Sequence, residues 1–116
     1  MTPANKIVLG TVLVLLAGSA FADAAKGKAL YEQLCISCHG ATGKGDGPVG
    51  GALPADQKPR NLSDQASYKF AKDDAKFAEL LKKGGQAVGL SVLMPPQAQL
   101  SDADIASVIE YVKTLK

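Results

Sequence analysis

Two thiols and an imidazole fall within five residues of one another in Cys35-Ile36-Ser37-Cys38-His39. Thiols three positions apart on one tight turn can each add to a vinyl group on the same porphyrin edge. The imidazole that follows is then carried beneath the iron. C-x-x-C-H is the spacing of covalent c-type haem attachment, and neutral imidazole is a good axial ligand for haem iron. Other chemistries of two close cysteines fit less well. A thioredoxin-type C-x-x-C follows a strand within a β-α-β pattern, whereas a helical pattern precedes this one. Zinc needs about four ligands, and the chain has only 2 Cys and 1 His.

A second candidate ligand lies far away in sequence, in Val92-Leu93-Met94-Pro95-Pro96. A lone methionine is ordinarily core filler. Met94 instead sits in a proline-stiffened loop, and a thioether is a soft neutral ligand that favours ferrous iron. With His39 on one face and Met94 on the other, neither axial position is open to oxygen or peroxide, which points to electron transfer. Arg60 is the only arginine. It reads either as an exposed surface residue or as a guanidinium paired with a haem propionate.

The elements that position these groups follow from periodicity. Gly27, Leu30, Tyr31, Leu34 and Cys35 share one helical face, with Asp23 as the cap, so the first helix delivers Cys35 to the motif. From Gly40 to Arg60 the chain is rich in Gly and Pro and reads as a long loop. Loops of that length in a compact domain need something to wrap, and a haem face provides it. Ser63–Ala71 is a candidate for a short helix. Asp73–Lys83 is a clearer one, with acids first, lysines last and Gly84-Gly85 as the stop. Ser101 and Asp104 form a capping-box pattern ahead of Ile105, Val108, Ile109, Val112 and Leu115. No long stretch alternates with period 2, so the expected fold is all-α.

Ahead of the domain stand Lys6, the apolar run Ile7–Leu16 and Ala20-Phe21-Ala22, a secretory leader with an A-x-A cleavage site. Its apolar stretch is short of the roughly 20 residues that span a bilayer comfortably. The expected organisation is therefore a cleaved leader, 1–22, and one domain, 23–116, in the periplasm without stable membrane insertion. A domain that small gains from a covalent staple. The precursor carries a net charge of +2. Removal of Lys6 brings the chain near neutrality, and two propionates would make it slightly negative, so nothing suggests a nucleic-acid partner.

Taken together, residues 24 to 115 resemble a class I c-type cytochrome, a small mono-haem electron carrier. The resemblance rests on Gly27-x-x-x-Tyr31, Cys35-x-x-Cys38-His39-Gly40, Gly45-Asp46-Gly47-Pro48, Leu93-Met94-Pro95, and Leu100-Ser101-Asp102-x-Asp104-Ile105 leading to Tyr111-Val112. It implies about four short helices around one haem c, with the first and last helices crossing where a small Gly27 admits an aromatic such as Tyr111. It implies axial ligation by His39 and Met94, and a hydrogen bond from the iron-distal nitrogen of His39 to the carbonyl of Pro48. Many relatives use a Trp near a propionate; this chain has none. The expected partners are redox proteins docking transiently on a monomer at the haem edge, steered by lysines such as Lys44, Lys58, Lys82 or Lys83. Two other readings stay open: a haem sensor or peroxidase-like enzyme with a displaceable Met94, and a haem-free thiol redox protein.

Overall fold

A computed structural model describes residues 22–116 together with Gly10. The leader expected over 1–22 lies almost wholly outside the described residues. Those that are described form four helices and no strand: α1 (Ala24–Leu34), α2 (Ile36–His39), α3 (Asp74–Lys83) and α4 (Asp102–Lys113). Single 3₁₀ turns occur at Gly50–Ala52 and Gln86–Val88. The all-α expectation holds.

Each long helix starts where its capping residue is. Asp23 accepts from the Ala25 amide at 2.9 Å and Asp73 from the Lys76 amide at 3.0 Å. Ser101 and Asp104 make both arms of a capping box. Such bonds satisfy amides that the helix itself leaves without partners. α3 ends at Gly84, with the acid-first, lysine-last bias that suits the helix dipole.

The core is the crossing of α1 over α4. Gly27 faces the backbone of Ser107 so closely that a Cβ would fall inside the Ser107 carbonyl. No other residue fits there without moving the helices apart. The approach lets Tyr31 and Tyr111 meet edge to face, with centroids 5.3 Å apart. Tyr31, Ile105, Val108 and Val112 are almost fully buried around them. α3 packs on the same helix, with ion pairs from Asp74 to Lys113 (2.7 Å) and from Lys82 to Asp102 joining opposite ends. The two helices therefore run antiparallel. These pairs are exposed and fix alignment more than stability. The buried Phe77 and Leu81 of α3 each contribute about 1.5–3 kcal/mol by burial.

One expected element is absent. Ser63–Ala71 is a chain of turns rather than a helix. Asn61 Oδ1 accepts from the amide and hydroxyl of Ser63, Asp64 Oδ1 accepts from the Ala66 amide, and the Ser67 hydroxyl donates to the carbonyls of Asn61 and Asp64. Short polar side chains that capture nearby backbone groups compete with helix formation. The helix that periodicity did not anticipate is α2, a single turn made by the C-x-x-C-H residues themselves.

Candidate haem site

The site begins where α1 stops. Cys35 caps α1, its amide donating to the Tyr31 carbonyl at 2.8 Å, and its own carbonyl accepts from the His39 amide at 2.8 Å. That turn brings Cys35, Cys38 and His39 to the wall of one cavity. The Tyr31 hydroxyl donates to the Gly40 carbonyl at 2.6 Å, tying the turn's exit to the helix crossing. The Gly-rich loop then folds back on the motif. Gly45 donates to the His39 carbonyl and Val49 to the Ser37 carbonyl, both at 2.8 Å. Gly47 packs so tightly on the carbonyls of Ile36 and Ser37 that a side chain there would collide with them.

Met94, which lines the same cavity, is carried by a loop held at both ends. Its carbonyl accepts from the Gly85 amide at 2.9 Å, and the amide of Gln97 donates to the Leu81 carbonyl at 2.7 Å. The Gln97 side chain, only 7% exposed, donates from Nε2 to the Pro95 carbonyl at 3.2 Å. Sequence reasoning missed Gln97, and it took Gly85 only as part of the stop to α3. A lone glutamine after two prolines carries no motif, and the backbone bond that Gly85 supplies to Met94 is non-local.

The cavity measures about 1460 Å³ and is lined by Cys35, Cys38, His39, Arg60 and Met94 with Tyr31, Leu62, Phe70, Phe77, Leu81, Val108 and Val112. Two thiols, one imidazole and one thioether thus converge on a space walled on one part by core side chains and on another by the loop residues 53–60 and 89–95. Burial pushes the Cys35 thiol up to about 11, with the neighbouring Cys38 adding to the effect. Burial lowers the His39 imidazole below its ordinary value, offset in part by the Arg60 backbone. A neutral imidazole is the form that binds iron. The His39 Nδ1 is buried without a hydrogen-bond partner, so the bond to the Pro48 carbonyl is not made in this structure. Pro48 is exposed and is not among the residues lining the cavity.

These residues fit a covalently held haem. The space is large and mostly apolar, both anchoring thiols and both candidate ligands reach it, and a buried imidazole nitrogen still needs an acceptor. Zinc fits poorly, because no three His, Cys, Asp or Glu side chains gather among the described residues. Arg60 is exposed while lining the cavity, which suits either of its two readings. Of the four candidate steering lysines, Lys82 and Lys83 form ion pairs with Asp102 and Glu79, whereas Lys58 stands at the cavity wall. Among the described residues, no helix is long and apolar enough to cross a membrane.

Comparison with known proteins gives the same answer. The family model described as cytochrome c matches residues 24–116. Cytochrome c-554(547) of Halothiobacillus neapolitanus is 35% identical over 97 residues, covering 81% of this chain and 98% of that protein. Cytochrome c-552 of Nitrosomonas europaea is 34% identical over 105 residues, covering 89% of this chain and 87% of that one. The cbb3-type cytochrome c oxidase subunit FixP of Bradyrhizobium diazoefficiens is 30% identical over 94 residues, which is 80% of this chain but 28% of the subunit. No solved structure matches.

Proposed function

The chain belongs to the cytochrome c family, and from that premise we propose that it is a periplasmic single-electron carrier with one haem c. Cys35 and Cys38 would anchor the haem, and His39 and Met94 would supply the ligands to its iron. The observation that carries this reading is that all four side chains line one cavity. When bound, the haem supplies an iron that alternates between ferric and ferrous states with no bond made or broken in a substrate.

The chain's own residues do the rest. Cys35 and Cys38, fixed on one turn, leave the group no route out of the site. His39 reaches the cavity as a neutral ring because burial disfavours its charged form. The unpartnered Nδ1 of that ring would take the Pro48 carbonyl as the acceptor of its proton in the holoprotein, which would raise ligand basicity. Met94 is held by the Gly85 and Gln97 bonds, and its thioether would keep exogenous ligands from the iron. Arg60 would pair with a propionate. Residues 1–22 serve as a leader removed after export, and 23–116 form the domain.

Redox partner proteins dock transiently at the exposed haem edge. Val92 and Leu93, 68% and 48% exposed, flank Met94 and supply apolar contact, with Lys58 contributing charge. The protein works as a monomer and performs no substrate chemistry of its own.

The test is the visible spectrum of the purified holoprotein in both oxidation states, with and without carbon monoxide. The expected result is a low-spin c-type spectrum with a sulfur-to-iron charge-transfer band, indifferent to carbon monoxide. In Met94→Ala the haem stays attached, the band disappears, carbon monoxide binds and the reduction potential falls. A native protein that is high-spin or readily binds carbon monoxide would move the function to ligand sensing or peroxidase-like catalysis.

A further inference from the structure

Ser107 is a polar side chain that the haem site does not use, and it is only 2% exposed at the crossing of α1 and α4. Its Oγ accepts a hydrogen bond from the backbone nitrogen of Asp23 at 3.0 Å. That nitrogen is half of the bond joining Asp23 to Ala22, which is exposed and outside the helix. Asp23 also caps α1 through its carboxylate.

Building on the leader reading above, we propose that the mature protein begins with the α-ammonium of Asp23 seated on Ser107, so that leader removal completes the clasp between α1 and α4. Hydrolysis of the Ala22–Asp23 bond by a leader peptidase consumes one water. It leaves a carboxylate on Ala22 and an ammonium on Asp23, and a neutral amide donor becomes a charged one in the same place. Charge-assisted hydrogen bonds are shorter and about twice as strong as neutral ones.

A new positive charge at the start of a helix opposes the dipole, so its surroundings decide whether it is tolerated. Among the described residues, the charged groups gathered at this corner are Asp23, which caps α1, Lys26 of α1 and Asp104 of α4. Lys26 Nζ lies 2.7 Å from Asp104, and both Asp104 and Asp23 hold its charge in place. Two carboxylates thus share one lysine before processing, and the ammonium balances them.

The sequence holds a second pair of alanines at leader-peptidase spacing, Ala22-Asp23-Ala24. Hydrolysis after Ala24 would remove the α1 cap and leave the buried Ser107 hydroxyl without its donor, two losses that each destabilise a helix crossing. The geometry therefore distinguishes two cut sites that the alanine pattern alone does not.

N-terminal sequencing and intact mass of the exported holoprotein identify the first residue. Acylation of the α-amine at neutral pH then measures its accessibility, compared with a free peptide of residues 23–30 and with Ser107→Ala. The expected results are a chain beginning at Asp23 and an amine that labels roughly fivefold more slowly than in the peptide. Ser107→Ala should restore fast labelling and lower the melting temperature by roughly 4–8 °C. If the chain begins at Asp23 but its amine labels as fast as the peptide's, the seat on Ser107 is wrong and the leader reading stands. A chain beginning at Ala25, or one that keeps the leader, overturns both. The peptide comparison needs no variant, so it decides the question even if Ser107→Ala fails to fold.

Discussion

The crossing of α1 over α4 and the two loops that close the cavity are built on opposite principles. At the crossing every group finds its partner within the polypeptide: Gly27 against Ser107, Tyr31 against Tyr111, Lys26 against Asp104, and a complete capping box. The cavity side is left incomplete. Its His39 Nδ1 has no partner, its thiols are free, and Val92 and Leu93 stand exposed beside Met94. A small domain buries a modest share of its surface, and this one concentrates its self-sufficiency in a single helix pair. The other half is shaped to be completed by a prosthetic group.

Removing the anchors should break that contrast most completely. Cys35→Ala with Cys38→Ala is expected to abolish covalent haem, because the chain has no other thiol. The loops should then lose protection while α1 and α4 keep more of theirs. Acid-acetone extraction followed by hydrogen exchange reads both, and haem that survives extraction would contradict the attachment.

The reverse experiment attacks the crossing. Gly27→Ala places a methyl inside the Ser107 carbonyl, which should cost about 1–3 kcal/mol or more by overpacking. The haem spectrum should remain native at low denaturant, and a change in the charge-transfer band larger than the loss of stability would mean that the two regions are not separable.

A subtler change sharpens the loop side. Gln97→Ala removes the bond to the Pro95 carbonyl beside Met94 at a cost of about 0.5–1.5 kcal/mol. The ferric protein should bind imidazole more readily, by a factor greater than the loss of stability accounts for, while the melting temperature falls by a few degrees. Equal effects on both would make Gln97 a core residue only.

The smallest effect is electrostatic. Lys26, then the Ser101 backbone and hydroxyl, hold the Asp104 carboxyl below its ordinary value of 3.8. A depressed folded value means that the stabilisation is fully present above 3.8 and is lost as pH falls through the folded value. Lys26→Ala should therefore cost a small amount of stability at neutrality, since the pair is exposed, and the difference from the native protein should shrink as pH falls below 3.8. Equal stability of the two at neutral pH would show that the ion pair adds nothing.

Much of the crossing was legible in the residues because its signals are local. Asp23, Asp73 and Ser101 announce helix starts within a few positions, and the apolar periodicity of α1, α3 and α4 is carried by neighbouring turns. C-x-x-C-H was legible for the same reason, although its being a helical turn in its own right was not. Ser63–Ala71 misled because its spacing permits a helix while Asn61 and Asp64 offer its backbone a better local partner. Gln97, and the part Gly85 plays beyond ending α3, were invisible because what matters about them is a bond to residues that approach only when α3 and the Met94 loop have packed. Met94 itself could be picked out from sequence because it is the single methionine after Met1 and sits in a proline-stiffened loop rather than on a helix face.

The hydroxyl of Tyr31, donating to the carbonyl of Gly40, acts as a strut between the helix pair and the turn that carries His39. An electron moves quickly only when the nuclei around the donor hardly shift between oxidation states. If His39 ligates the iron as proposed, a turn braced in this way on the buried α1–α4 crossing would keep that rearrangement small on the imidazole side.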